Sequence, residues 1–437
     1  MGIKHFLWHV YFAFMFTSII AQPQMKLGDF IALALEKNHN IILARQQVVA
    51  VDAASGYGNA GMLPSLGVNA GISQSANNTR QRFVSGQEVN QRGAESRNIN
   101  AGLLLNWTLF DGMRMFATYK RLETAKEISN EELKASIEST TLRVIELYYM
   151  LNRQDELLTA EQAALSVSEE RIRIAAENLQ VGSGNKLDLL QAKLDKNAQL
   201  TTIDVLTHAR ISIQSELNIL TGRSPASVII PADTQAIQLE LPYDSLRTLS
   251  FMRNTTLRRM EKNIEMRALQ LQEQKGSLYP RIDLIAGYGL NRVQNEVGFL
   301  LFNNTFSLSA GITASWTLYN GSQLQKRNQS LQVEKWRQET LFEQARAQLE
   351  GTLFIAWEQQ LRARRQLKRE QENMMMAQEA LNIAIERLKV GSSTPLEVMV
   401  VQQTFSEAAA RKAEASYLLT KASADLMLLD GSLVAPQ

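Results

Sequence analysis

The chain repeats one short phrase, and this repetition constrains its fold more than any other feature. LQVGSGNKLDLL begins at Leu179 and LKVGSSTPLEVM begins at Leu388, an offset of 209 residues. The same offset relates NWTLFDG, which begins at Asn106, to SWTLYNG, which begins at Ser315. A repeating unit of about 200 residues is far longer than the 20–50 residues of solenoid repeats. The sequence therefore predicts a duplicated domain half.

Upstream of these phrases the offset changes to 216, which relates Leu63 to Tyr279. The difference of seven residues (216 − 209) must lie in the first copy, between Gly71 and Asn106. We therefore expect two structural repeats, residues 22–232 and residues 233–437.

The N-terminus has the pattern of a secretory signal peptide. Lys4 and His5 precede an apolar run from Phe6 to Ile20, and the small residue Ala21 follows. The run is shorter than the roughly 20 residues of a membrane-spanning helix. We expect a signal peptide at residues 1–21 and an exported mature chain, and an uncleaved anchor is the alternative.

Four segments alternate between apolar and small or polar residues, as Ser65–Ser73 does with Leu66, Val68, Ala70 and Ile72. Period-two alternation predicts strands with one apolar face. Runs of about 9–11 residues suit a membrane-spanning strand. A sandwich edge is the alternative, but the small residues of the second face suit a wet lumen. The predicted hairpins are 65–109 and 281–318, with polar loops at Gln74–Arg97 and Asn291–Thr305.

Aromatic residues end both hairpins at corresponding positions. Trp107 and Phe110 end the first hairpin, and Trp316 and Tyr319 end the second. Aromatic girdles of this kind mark the interfaces of membrane barrels. We predict that these four side chains lie at a membrane interface.

The remaining segments are predicted to be helical. No proline or glycine interrupts 113–180, and seven successive aliphatic residues from Ile137 to Leu179 are spaced by seven, which is typical of supercoiled helices. A helix of nearly 70 residues is roughly 100 Å long, twice the length of the half-length helices. The predicted long helices are 112–180 and 321–389, and the predicted half-length helices are 27–62, 186–221 and 395–430.

Composition argues against several functional classes. The 437 residues carry a net charge of only +2 and no basic block, so we expect no nucleic-acid partner. No cysteine is present, which excludes disulfides and zinc–thiolate sites. No catalytic or nucleotide motif occurs, so we expect no enzyme activity and no cofactor. Met374–Met376 resembles a soft-metal site, but consecutive helical residues point about 100° apart, so we predict no metal site.

The order helix, strand, strand, long helix, VG turn, helix, written twice, resembles the TolC family of outer-membrane efflux proteins. The likeness rests on Leu63-Pro64, Trp107–Gly112 and Val181–Asp188, and on their partners Tyr279-Pro280, Trp316–Gly321 and Val390–Glu397. The resemblance implies a mixed α/β membrane protein in the outer membrane. Four strands from each chain would give a 12-stranded transmembrane β-barrel in a homotrimer, joined to a long periplasmic α-helical coiled-coil barrel.

The resemblance also implies partners and functional residues. A periplasmic adaptor (membrane fusion) protein would contact the turns Val181-Gly182-Ser183 and Val390-Gly391-Ser392, an inner-membrane transporter would supply energy, and outer-membrane lipid would surround the barrel. Asp188 and Glu397 would line the periplasmic aperture. Repeated by threefold symmetry, these acids would favour cations, and like-charge repulsion would raise their pKa values. Helix-capping acids are the alternative.

The predicted function is a passive outer-membrane exit duct of a tripartite efflux or secretion system. Two alternatives remain open at the level of sequence. One is the outer-membrane channel of type I protein secretion. The other, from a different class, is a periplasmic structural or adaptor coiled-coil protein, which would have no need of four lipid-compatible strands.

Overall fold

The computed structural model describes residues 24–434, so the predicted signal peptide at 1–21 lies outside the described residues. Within them, two sets of elements follow each other in the same order. The first set is α1 (Leu27–Lys37), α2 (His39–Ala54), β1 (Ser65–Arg82), β2 (Glu88–Phe110), α3 (Arg114–Gln180) and α4 (Lys186–Leu220). The second set is α5 (Tyr243–Arg253), α6 (Thr255–Gly276), β3 (Arg281–Asn295), β4 (Phe302–Ser315), α7 (Gln323–Lys389) and α8 (Pro395–Leu429).

The helical segment before each hairpin is broken by an asparagine, so the single helix predicted at 27–62 is wrong. Asn38 has an extended backbone (φ −67°, ψ 125°), and its side chain accepts from the amides of Asn40 and Ile41. Asn254 caps α6 in the same way. An asparagine that satisfies the free amides of a helix start favours a new helix over continuation. Helix α2 also ends at Ala54, eight residues early.

The four strands form one antiparallel sheet in the order β1-β2-β3-β4. The strands run much further than predicted, because Gln74–Arg82 and Glu88–Arg97 belong to β1 and β2 rather than to a loop. Only residues 83–87 connect these strands, and only 296–301 connect β3 to β4. Hydrophobic alternation cannot detect such extensions, since both of their faces are polar while their backbones still pair.

One face of the sheet is apolar and exposed, and we call it the apolar face. It carries the even-numbered residues of β1, β3 and β4 and the odd-numbered residues of β2 from Leu109 to Glu95. Large exposed side chains on it include Leu66, Val68, Leu103, Tyr288, Leu308 and Ile312. The opposite face carries mainly glycine, serine, threonine and asparagine. In the single chain, β1 and β4 are edge strands that pair on one side only.

Each hairpin enters its long helix through two residues with positive φ. Gly112 (φ +73°) and Met113 (φ +68°) precede α3, and Gly321 and Ser322 precede α7. The Asp111 carboxylate then accepts from the Met115 amide at 3.0 Å and caps α3. The long helices therefore begin two residues later than predicted, at Arg114 and Gln323, because left-handed residues cannot belong to the α-helix.

The chain divides into two compact units, each assembled from both repeats. Within the described residues, the first unit comprises 24–34, 143–236 and 364–420, and it holds a core around Leu381, Leu388, Val398 and Phe405. The second comprises 35–142, 237–363 and 421–434, and its core includes Leu246, Leu353 and Leu426.

The heptad positions are buried unequally within the chain. In α7, Leu353, Leu367, Leu381 and Leu388 are all buried. In α3 only Val144 and Leu151 of the predicted stripe are fully buried, and Leu179 is exposed. Among the described residues, no helix is long and apolar enough to cross a membrane.

Candidate functional site

The repeated phrase forms two matching turns in the first unit. Gly182 (φ +76°) follows the end of α3, and Gly391 (φ +73°) follows the end of α7. Both Ser183 and Ser392 donate twice to the carbonyl oxygen five residues upstream, through the amide at 2.9 Å and the hydroxyl at 3.2 Å. Glycine supplies the left-handed conformation and serine satisfies a carbonyl that the ended helix leaves free. The phrase is therefore a helix C-cap written twice.

Exposed apolar side chains flank both turns in the same arrangement. Val181 is 76% exposed and Val390 is 77% exposed. Leu187 and Leu396, in the first turns of α4 and α8, are 65% and 63% exposed. Scattered apolar residues are ordinary on a surface, but nearly equal exposure within two pairs of equivalent positions marks these turns as a candidate contact surface.

The two predicted aperture acids lie in the first turns of α4 and α8. Asn185 caps α4 by accepting from the Leu187 amide at 2.9 Å. Asp188 is therefore not the cap of its helix, and within residues 24–434 its carboxylate has no hydrogen-bond or ion-pair partner. An acid in this position is favoured by the helix dipole and remains available to a ligand or a neighbouring chain.

Glu397 is held by its own chain. Its carboxylate accepts from the Ser393 hydroxyl at 2.7 Å and from the Arg387 guanidinium at 2.8 Å. The Ser393 hydrogen bond and then the Arg387 charge lower the pKa of Glu397 below its ordinary value. A ring of like charges would instead raise the pKa of Glu397, and the ring itself stays a prediction.

The first copy lacks the residues that hold Glu397. At the offset of 209, Asn178 stands where the second copy has Arg387, and Gly184 stands where it has Ser393. Sequence reasoning missed this pair, although Arg387 and Glu397 are both visible at the ends of neighbouring predicted helices. Arg387 lies in the last turn of α7 and Glu397 in the first turn of α8, and this spacing across a short connection was the available signal.

Helices packed behind the turns hold them in place. Val398 and Phe405 of α8 are at most 2% exposed in the core with Leu381 of α7. Gln402 of α8 is buried and donates to the Ser168 hydroxyl of α3 at 2.8 Å. These contacts fix the ends of α3, α7 and α8 within one packed unit, so the turns are presented from a rigid base.

The predicted interface aromatics are fastened to the chain at the base of each hairpin. The Trp107 indole donates to the Met62 carbonyl at 2.9 Å, and the Trp316 indole donates to the Leu278 carbonyl at 3.0 Å. These two carbonyls are themselves related by the offset of 216, so both copies make the same bond. Both indole rings remain exposed, as Trp side chains do at an interface when the polar end is satisfied.

The other two aromatics differ from each other. Phe110 is the last residue of β2 and is half-buried opposite Ile282. Tyr319 follows the end of β4 and is 78% exposed. Trp107 and Phe110 lie within the last four residues of β2, Trp316 and Tyr319 lie within the four residues that follow β4, and their contact with lipid stays a prediction.

Among the described residues, no group of three or more His, Cys, Asp or Glu side chains could hold a metal ion. Met374 packs against the core of the first unit, while Met375 and Met376 are exposed. The three thioethers therefore face different surroundings within the part of the chain that the structure describes.

Comparisons with known proteins agree with this architecture. The family model described as outer membrane efflux protein matches residues 30–223 and 248–432. The outer membrane efflux protein BepC of Brucella suis is 22% identical over 340 residues, which cover 77% of this chain and 73% of BepC. The pyoverdine export outer membrane protein OpmQ of Pseudomonas aeruginosa is 24% identical over 399 residues, covering 87% of this chain and 79% of OpmQ.

A solved structure shows the same fold. The outer membrane channel CmeC of Campylobacter jejuni superposes with a TM-score of 0.76 at 17% sequence identity, covering 93% of this chain and 85% of CmeC. The match to CmeC extends over both sets of elements, which confirms the helix-rich chain with a four-stranded antiparallel sheet.

Proposed function

The chain belongs to the outer membrane efflux protein family and forms the exit duct of an export system in the outer membrane, and we propose that three copies build one duct. The duct passes substrate without chemistry of its own. An inner-membrane transporter supplies the energy, and a periplasmic adaptor joins the two.

The proposal of a trimer rests on one observation, namely that the four-stranded sheet has two open edges. Strands β1 and β4 pair on one side only, and the apolar face is exposed. In lipid an open edge leaves backbone groups without partners, so the sheet must close with other copies. Eight strands from two chains would enclose an interior filled by side chains, whereas 12 strands from three chains leave room for a conduit.

The adaptor surface is proposed at the two turns. Val181 and Val390 are exposed beside glycines that fix the backbone, and the packed helices behind them limit the entropy lost on binding. Three chains would present six such turns. The apolar valines supply contact area, and Ser183 and Ser392 keep the turn geometry through their hydrogen bonds.

The aperture is proposed at the same end of the first unit. Asp188 carries an unpaired charge among the described residues, whereas Arg387 offsets the charge of Glu397. Threefold symmetry would then place three uncompensated carboxylates around the axis rather than six. Such a ring favours cations.

A deletion experiment tests the duct. Replacing hairpin 65–109 or hairpin 281–318 by a short glycine–serine linker removes two of the four strands, and we expect no integral outer-membrane protein. As a matched control, deleting residues 79–91 shortens β1 and β2 beyond the apolar rows and is expected to retain insertion. A hairpin-deleted protein that resists extraction by carbonate from the outer membrane would contradict the proposal.

A substitution experiment tests the adaptor surface. Ser183→Glu or Ser392→Glu puts a bulky charge on the turn and is expected to impair export while the trimer still forms. Ser183→Ala and Ser392→Ala are the controls, since each removes only the hydroxyl hydrogen bond to the helix end. Export at the normal level by both glutamate variants would exclude the turns as the contact surface.

A further inference from the structure

The apolar face ends in a row that contains arginine. Across the four strands, one row consists of Ala70, Ala101, Leu290 and Phe306, and the next consists of Ile72, Ile99, Arg292 and Asn304. The row after that holds Gln74, Arg97, Gln294 and Phe302. Arg97 and Arg292 are therefore diagonal neighbours on adjacent strands, on the same face as the apolar residues and at the end away from the helices.

Neither of these arginines is neutralised within the described residues. No carboxylate lies within ion-pair distance of Arg97 or Arg292, and Arg292 instead stacks over the Phe302 ring with 5.2 Å to the centroid. Glu95 is the nearest acid along β2 on this face, and it accepts from the Gln74 amide at 2.8 Å.

Two further arginines of β1 are paired and so provide a contrast. Arg80 and Arg82 both form ion pairs with Glu88, beyond the bulge that separates the register at Asn77 and Thr79. Near the hairpin tip, Arg80 and Arg82 therefore share the carboxylate of Glu88, whereas the two arginines that adjoin the apolar rows have no acidic partner within the described residues.

The distance of Arg292 from the helix end of the sheet matches the thickness of a membrane's apolar layer. Arg292 lies ten residues from Ile282 along β3, or about 34 Å at 3.4 Å per residue. A strand tilt of 35–45° reduces this to about 24–28 Å along the barrel axis. The apolar band of outer-membrane barrels is about 25 Å tall, so the arginines lie at the level of the outer-leaflet headgroups.

We propose that Arg97 and Arg292 form a binding site for the phosphate group of a lipid headgroup in the outer leaflet of the outer membrane. This inference rests on the proposed function, because it requires the apolar face to lie in lipid. Three chains would carry three such sites around the barrel.

The chemistry of the pair fits a phosphate. A guanidinium presents paired N–H donors that match phosphate oxygens, and an anion between two cations relieves their repulsion. Diagonal neighbours on adjacent strands lie about 7–8 Å apart, within reach of long side chains that converge on one group. The stacking of Arg292 on Phe302 holds the guanidinium plane while its N–H groups remain available.

The test measures lipid binding to the purified full-length protein by native mass spectrometry. The probes are diphosphoryl lipid A and the same lipid with both phosphates removed. The Arg97→Gln/Arg292→Gln variant is compared with the wild type and with the control variant Arg80→Gln. Arg80 lies in the same hairpin and already forms an ion pair with Glu88.

We expect the double variant to bind diphosphoryl lipid A about 25-fold more weakly, since each arginine near an anionic surface contributes roughly fivefold. We expect Arg80→Gln to bind like the wild type, and the phosphate-free lipid to bind wild type and double variant alike. Equal affinity of wild type and double variant for diphosphoryl lipid A, in protein that is trimeric in the same spectra, would overturn the arginine site alone. A wild-type protein that is not trimeric in those spectra would overturn the proposed duct.

Discussion

The junction between strand and helix offers a quantitative comparison, because the two copies use the same glycine in different surroundings. Gly112 and Gly321 have φ values of +73° and +67°. A Cβ built on Gly112 would overlap the Gly276 carbonyl oxygen and lie 2.8 Å from the Tyr279 Cβ. A Cβ built on Gly321 would meet no atom within 4 Å.

The structure therefore separates backbone strain from steric overlap. An L-residue in the left-handed region costs about 1–2 kcal/mol, which is the whole cost expected for Gly321→Ala. Gly112→Ala adds overpacking of about 1–3 kcal/mol, because the backbone of Gly276 must move. We expect losses in the free energy of unfolding of about 1–2 kcal/mol for Gly321→Ala and about 2–5 kcal/mol for Gly112→Ala.

Guanidinium titration of the detergent-solubilised protein, followed by circular dichroism, measures these losses. Comparable slopes of the transitions are needed for the free energies to be compared. Equal losses for the two variants would refute the steric argument. A Gly321→Ala variant as stable as the wild type would refute the argument from backbone strain.

Three further outcomes are expected from the same structure. Asp188→Asn should lower cation selectivity in planar-bilayer recordings more than Glu397→Gln, because Arg387 already offsets the charge of Glu397, and the double variant should also weaken block by multivalent cations. Unchanged selectivity in all three variants would show that these acids only favour their helix N-termini through the helix dipole. Burial raises the pKa of Glu138, so its contribution to the free energy of unfolding is present at low pH and is lost as the pH rises from the ordinary 4.5 through the raised pKa. Glu138→Gln should reduce this loss of stability with rising pH. A variant whose free energy of unfolding depends on pH as the wild type's does would contradict the prediction. Leu353→Ala should cost about 2–5 kcal/mol in the same titration, because Leu353 is 1% exposed, and a loss below 1 kcal/mol would contradict its place in the core.

The sequence predicted the elements that periodicity marks. Helix α4 begins at Lys186 as predicted, and α7 and α8 end at Lys389 and Leu429, within one residue of the prediction. The glycines of both turns also have the positive φ that a helix C-cap requires. These features depend on local signals, namely glycine, capping residues and hydrophobic spacing.

The strand lengths and the helix breaks were harder to predict, because they depend on contacts in the folded chain that the sequence pattern does not reveal. The polar extensions of β1 and β2 pair through their backbones, so hydrophobic alternation does not identify Gln74–Arg82 and Glu88–Arg97 as strand. The breaks at Asn38 and Asn254 were also missed, although the two asparagines are related by the offset of 216, because asparagine is tolerated on helix surfaces as well as at caps. The spacing of Arg387 and Glu397 across the predicted turn allows their pairing, and the turn geometry brings the guanidinium to 2.8 Å from the carboxylate.

Closure of the sheet between chains is the central claim, and disulfide cross-linking of its two edges tests it most directly. The chain has no cysteine, so one can be placed at Ala70 on edge strand β1 and a second, in separate variants, at Phe306, Leu308 or Ala310 on edge strand β4. Oxidation in outer membranes is expected to yield a covalent trimer for at least one pair, since β4 of each copy would lie beside β1 of the next. Chains that remain monomeric for every pair, or that stop at two linked copies, would contradict the three-chain duct.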